Sequence, residues 1–216
     1  MKKIFFNIFS TLIIFLLFGL GTWQLVRLQW KQELILEIKN SSKQEAQIFQ
    51  TNNHKKFQKV KLQGKLLKNN YFIYRLSEKG KYGFDLLSIF QVDSANVLLV
   101  KRGWTKKIDN SINLNNTEDI FEFEGVLYPL KAKGIFTPNN NPKENFLYYF
   151  DKQAFEKELN NKFYPYILVQ SKKDLKFPNL ESKQGITISN NHLQYAVTWF
   201  VLAIGIIIAF WFYKRK

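Results

Sequence analysis

Hydrophobic residues gather into one long run at each end of this chain, with an alternating pattern between them. The first run holds Ile4, Phe5, Phe6, Ile8, Phe9, Leu12 to Phe18 and Leu20. Roughly 20 residues at about 1.5 Å each span a hydrocarbon core of about 30 Å. The second run, Leu193 to Tyr213, is not interrupted by charge and is followed by Lys214-Arg215-Lys216. Its Leu, Ile, Val and Phe residues, at about −0.3 to −0.6 kcal/mol each, favour insertion by roughly 3 to 7 kcal/mol. The pattern predicts a transmembrane helix over 1–25, an exported, mainly β domain over 26–191, a second transmembrane helix over 192–213 and a basic tail over 214–216. Met1-Lys2-Lys3 would also suit a signal peptide. However, the run exceeds an h-region and no small-x-small cleavage site follows, so an uncleaved anchor is expected.

The first helix should continue past Arg27, because Leu28, Trp30, Leu34, Ile35 and Ile38 keep helical spacing until Asn40-Ser41-Ser42. Polar Gln44 to Lys56 reads as loop. A period of two then takes over. Phe57 to Leu66 reads as a strand kinked at Gly64, and Lys68-Asn69-Asn70 as a turn into a strand at Tyr71 to Leu76. Phe84 to Gln91, Asn96 to Lys101, Ile120 to Leu127, Phe146 to Phe150 and Tyr166 to Gln170 read as further strands, with an exposed loop at Asp109 to Glu118. Asp151 is placed to cap a helix over Lys152 to Asn161 that turns Ala154, Phe155 and Leu159 to one face. The predicted fold is α+β: two terminal transmembrane helices flanking a small, mainly antiparallel sheet or barrel.

Charge and composition narrow the function. The chain has 216 residues, 32 basic and 17 acidic, giving a formal net charge of +15. The basic residues are mostly scattered lysines rather than a patch, so no nucleic-acid partner is expected. The lysines and arginine outside the two spans put both termini in the cytoplasm or its equivalent and leave the segment between them exported. There is no cysteine, which excludes disulfides, thioether-attached haem and thiolate metal sites, and Met1 is the single methionine. A sulfur-based copper carrier is therefore excluded as well.

Little in the exported domain looks catalytic. His54 is its one free base, and no nucleophile elbow, phosphate loop or HExxH stands near it. Glu122 and Glu124 share one face of a strand, as a solvated pair would. No enzymatic activity is expected. The membrane boundary is richer. Trp23, Arg27 and Trp30 lie at i, i+4 and i+7; His192, Tyr195, Ala196 and Trp199 lie at i, i+3, i+4 and i+7. Both sets fall on the same, outer side of the bilayer. The aromatics suit an interfacial belt with Arg27 snorkelling. Polar groups near lipid need partners, however, so His192 and Arg27 together suggest a ligand site. A neutral imidazole can be an axial haem ligand and a guanidinium can clamp a propionate.

Three separated motifs carry a resemblance. They are Trp23-Gln24-Leu25-Val26-Arg27-Leu28-Gln29-Trp30-Lys31, Leu98-Leu99-Val100-Lys101-Arg102-Gly103-Trp104, and Asn191-His192-Leu193-Gln194-Tyr195-Ala196-Val197-Thr198-Trp199-Phe200. Weaker echoes include Val60 to Gly64, Phe84 to Leu87, Gly125 to Leu127 and Phe136-Thr137-Pro138-Asn139-Asn140. Together, and across nearly the whole chain, they resemble the Surfeit locus protein 1 family. The resemblance implies a membrane assembly factor for the respiratory-chain haem–copper cytochrome c oxidase, one that helps bind, deliver or insert haem a. Its implied partners are the oxidase catalytic subunit, haem a synthase and the lipid bilayer. The family histidine implicated in haem binding falls on His192; Arg27, Trp23, Gln24, Tyr195 and Trp199 would join it. Lys101 departs from the family's asparagine before Arg-Gly-Trp. Arg102, Gly103 and Trp104 read either as a partner surface or as a structural turn, with Arg102 and Trp104 expected on one face. The competing reading is a membrane-tethered scaffold for oxidase subunits or haem synthase that binds no haem itself.

Overall fold

Both apolar runs become helices, and the alternating stretch between them becomes one sheet. In chain order the elements are α1 (Lys2–Lys43), β1 (Gln47–Ile48), β2 (Lys59–Gly64), β3 (Leu66–Tyr74), β4 (Phe84–Gln91), β5 (Asn96–Thr105), β6 (Phe121–Pro129), α2 (Lys152–Leu159), β7 (Lys162–Gln170) and α3 (His192–Arg215). The computed structural model describes residues 2–51, 54–77, 80–108, 120–141, 146–171, 180, 188 and 190–215. The loop expected at Asp109 to Glu118 lies outside them. The chain divides into a helical unit, Met1–Ile38 with Ile188–Lys216, and a sheet unit, Lys39–Thr187.

In the helical unit, α1 and α3 are each long and apolar enough to cross a membrane. They run antiparallel. Phe6 meets Tyr213 at 4.4 Å between ring centroids, Phe18 meets Phe200 at 5.8 Å, and Gln24 meets His192. The seam uses small residues. Ser10, Leu17 and Gly21 of α1 and Ala196 and Ala203 of α3 are buried, while Phe5, Phe15, Val201 and Ile204 point outward. Close backbone approach is the usual way lipid-facing helices associate, because Leu–lipid and Leu–Leu contacts are nearly equivalent. Gly21 takes it furthest: a Cβ there would lie 2.5 Å from Phe200 Cε1.

In the sheet unit, the seven strands lie in the order β1-β2-β6-β7-β5-β4-β3. The β2·β6, β6·β7, β5·β4 and β4·β3 pairs are antiparallel, but β1·β2 and β5·β7 are parallel. The sheet is thus mainly antiparallel, as expected, with two parallel pairs that make it mixed. Its curl follows from connectivity. β2 lies near one edge and β3 forms the other, yet Lys65 alone separates them in sequence. Only a sheet that curls on itself, as a half-barrel, lets one residue join opposite edges. Gly64 stands at that closure, where a Cβ would lie 2.9 Å from the Phe90 ring of β4. One face of the sheet gathers Val60, Leu62, Phe90, Leu98, Val100, Phe123, Leu127 and Leu168. The other gathers Leu87, Ile89, Val97, Leu99 and Phe163 beneath Phe155 of α2. β5 sits mid-sheet and is buried on both faces, which explains its near-continuous apolar sequence.

Several local expectations change. Lys68-Asn69-Asn70 is not a turn; β3 runs through it with a register shift between Leu66 and Asn70. Asn70 still finds a partner there, accepting from Ser88 Oγ at 2.6 Å. Phe146 to Phe150 is not a strand, and its described part makes one bridge, Ile73 to Leu147. Gln44 to Lys56 contains the short β1, which pairs with β2. Asp151 caps α2 as expected, its side chain accepting from Ala154 N at 3.1 Å.

Candidate functional site

The seam between α1 and α3 ends in polar residues. Leu17, Gly21 and Gln24 follow one another at i, i+4 and i+7, so the stripe that buries Leu17 and Gly21 carries Gln24 to the partner helix. On α3, Ala196 and Ala203 share a stripe with His192, the first residue of that helix. The two stripes bring His192 Nδ1 to 2.7 Å from Gln24 Oε1. An amide oxygen can only accept, so Nδ1 carries the proton and donates. In the singly protonated tautomer that donates from Nδ1, the lone pair is on Nε2, the arrangement that second-shell partners impose on metal-binding histidines.

Two further polar atoms in this unit lie buried without a hydrogen-bond partner: Arg27 Nε and Asn190 Oδ1. Arg27 stands one turn beyond Gln24 on α1, its guanidinium carbon 4.7 Å from the centroid of the Trp30 ring. Asn190 lies just ahead of α3. A buried donor left unmade costs about 1–3 kcal/mol, so native chains rarely keep one without use. If a haem binds at this end of the seam, His192 Nε2 could hold its iron and Arg27 a propionate. Among the described residues no group of three His, Asp or Glu side chains could hold a bare metal ion.

Not every expected member converges. Trp23 and Tyr195 are each 54% exposed and Trp30 is 49% exposed, so these rings face outward as an interfacial belt would. Trp199 is half-buried. Gln24 emerges as the histidine's orienting partner. Asn190 was not singled out by sequence reasoning; the paired Asn190-Asn191 before a helix beginning with His was the available signal.

The Arg102-Gly103-Trp104 segment lies in the sheet unit and is built into its packing. Leu86 pairs with Gly103 but Leu87 pairs with Lys101, so Arg102 is the extra residue of a bulge in β5. The bulge breaks the alternation. Trp104, opposite Asp85, shares a face with Lys101, opposite Leu87, while Arg102 turns to the other face. Arg102 and Trp104 therefore do not share a face, as strict alternation predicted. Arg102 is 1% exposed, and its guanidinium carbon lies 5.7 Å from the centroids of both Phe121 and Phe123. Trp104 donates from Nε1 to Arg75 O at 3.0 Å. Lys101, the departure from the family pattern, reaches buried Asp85 at 2.7 Å, and Arg75 reaches the same oxygen at 3.3 Å. Asp85 was not anticipated; a lone carboxylate inside apolar Phe84-Asp85-Leu86-Leu87 was its signal.

His54 is no solvated base. Its ring packs 5.7 Å from Phe49, 5.4 Å from Tyr164 and 5.1 Å from Tyr166, centroid to centroid. Burial first, and then the Asp93 carboxylate, push the Tyr164 phenol above its ordinary value. Glu124 pairs with Lys59 at 3.0 Å while Glu122 is exposed, so these carboxylates form no acid–base couple.

The sequence is similar to a family of known proteins across almost its whole length. The SURF1 family model matches residues 11–204. A SURF1-like protein of Rickettsia prowazekii is 30% identical over 99% of this chain and 91% of its own length. A SURF1-like protein of Rickettsia bellii is 29% identical over 97% of this chain and 90% of its own length. Surfeit locus protein 1 of Takifugu rubripes is 28% identical over 86% of this chain and 87% of its own length. The chain belongs to the SURF1 family.

Proposed function

We propose that this protein is a membrane-anchored, non-enzymatic assembly factor for haem–copper cytochrome c oxidase, and that it holds haem a for the catalytic subunit. α1 and α3 cross the inner membrane, and the polar end of their seam takes the haem. His192 Nε2 would hold the haem iron, Gln24 would fix that tautomer, and Arg27 would hold a propionate. The bond from His192 Nδ1 to Gln24 Oε1 at 2.7 Å carries this reading, because it presents the imidazole ready to ligate. A single neutral histidine suits a carrier that must release its cargo. Haem a synthase would supply the group and the oxidase catalytic subunit would accept it.

The test is an absorption spectrum of the full chain, purified in detergent from cells that make haem a. Wild-type protein should show a Soret band that His192→Ala abolishes while the protein still folds and inserts. Wild-type protein that copurifies with the oxidase subunit but carries no haem would establish the scaffold reading in its place.

A further inference from the structure

A loop after β6 displays two apolar side chains to solvent. Ile135 is 95% exposed and Phe136 is 98% exposed. They are not at the end of a loose segment. Thr137 N donates to Gly134 O at 3.0 Å, closing a turn around them. Asn140 fastens its base: Oδ1 accepts from Tyr148 N at 2.8 Å and from Tyr149 N at 3.3 Å, and Nδ2 donates to Tyr149 O at 3.0 Å. Lys133 Nζ donates to Asn139 Oδ1 and lies 5.3 Å from the Tyr149 ring centroid. A turn held this firmly keeps a Phe and a β-branched Ile side by side in water, which is costly unless something covers them.

The charges indicate the occupant. Residues 130–141 include exposed Lys131 and Lys133 and no Asp or Glu. A basic rim around an apolar tip complements anionic headgroups lying over acyl chains. The affinity of such a tip alone would be weak. A chain with two helices long enough to span a bilayer does not depend on it, because tethering raises the local concentration of lipid surface. We propose that this loop is a peripheral lipid contact: Ile135 and Phe136 enter the headgroup–acyl boundary of an anionic bilayer, and Lys131 and Lys133 meet its phosphates.

The chain contains no cysteine, so single-cysteine variants can be labelled cleanly. Phe136→Cys and, as a reference on the exposed β4–β5 turn, Ser94→Cys would carry a nitroxide in the full chain. Each would be reconstituted in nanodiscs of phosphatidylcholine with or without phosphatidylglycerol. The label at 136 should become several-fold more accessible to oxygen relative to a water-soluble nickel chelate, and more so with phosphatidylglycerol. The label at 94 should not change. Equal nickel access at both sites in anionic nanodiscs would overturn the proposal. Shielding at 136 that appears only in native membranes, and never with lipid alone, would also overturn it and assign the tip to a protein groove. Ile135→Ser should leave the fold intact and reduce the oxygen signal at 136, because its side chain makes no core contact.

Discussion

At the scale of single residues, the candidate site depends on a proton position. Gln24 can set it only by accepting from His192 Nδ1. Gln24→Leu keeps the bulk and removes the acceptor. We expect haem affinity to fall about 10–100-fold, the usual loss when a ligand's orienting partner is removed. Gln24→Glu keeps an acceptor and should retain most binding, which spectrophotometric haem titration of the two variants would check. If both variants lose affinity equally, Gln24 acts through packing and the tautomer argument fails. Arg102 belongs to a different part of the molecule. Its guanidinium is buried against Phe121 and Phe123, so Arg102→Ala should destabilise the sheet unit by about 3 kcal/mol through lost packing and an uncompensated cavity. Thermal unfolding followed by near-ultraviolet circular dichroism reads that loss, and haem titration of the folded variant should be unchanged.

At the scale of elements, the tightest contacts are backbone approaches that no side chain could share. Gly21 accommodates Phe200 on the helix seam, so Gly21→Leu should force α1 and α3 apart and weaken haem binding with them. Phe200→Ala in the same chain should restore part of the loss, which haem titration of the single and double variants measures. A further expectation concerns the β4–β5 turn. A hydrogen bond from the Asn96 side chain, then one from Ala95 N, hold the Asp93 carboxyl below its ordinary value. A depressed carboxyl contributes stability above its unfolded value, and that contribution is lost as pH falls through its folded value. Asp93→Asn should therefore lower thermal stability slightly at neutral pH and leave it nearly unchanged at low pH, which flattens the acid limb of a melting-temperature profile against pH. Much of this level was legible in sequence. α1 past Arg27 and α2 with its Asp151 cap follow from helical periodicity, and the strands at Phe84 and Asn96 from short apolar runs buried on both faces. The exceptions have local causes. At Lys68-Asn69-Asn70, turn-forming residues sit in a strand because tertiary pairing to β4 outweighs their propensity. At Arg102 an inserted residue reverses the faces, and alternation alone cannot reveal a bulge. The Gln24–His192 pair joins residues 168 positions apart. Each was visible in the sequence as a site residue, but only the helix seam shows that they touch.

At the scale of the whole molecule, the antiparallel course of α1 and α3 governs topology. Phe6, near the start of the chain, lies against Tyr213, near its end, while Gln24 lies against His192 at the other end of the seam. If the pair crosses a bilayer as one hairpin, both termini emerge on one side and the Gln24–His192 end lies toward the other. The segment between α1 and α3 leaves and re-enters the pair at that second end, so a hairpin of this kind would export it. On the proposed reading, the lysines and arginine flanking the outer ends would put the termini in the cytoplasm. The absence of cysteine makes this testable without background. Lys3→Cys and Lys214→Cys should resist a membrane-impermeant maleimide added outside intact cells, and Ser94→Cys should react with it. After the membranes are inverted, the pattern should reverse. Labelling of positions 3 and 214 from opposite faces would break the hairpin, and with it the requirement that Gln24 and His192 meet at one boundary. Reaction of all three positions from the same face would mean that neither helix crosses. A haem site at the end of a membrane hairpin would then have no physical basis, although the curled sheet would be unaffected, because its closure at Gly64 and Lys65 lies within the sheet unit.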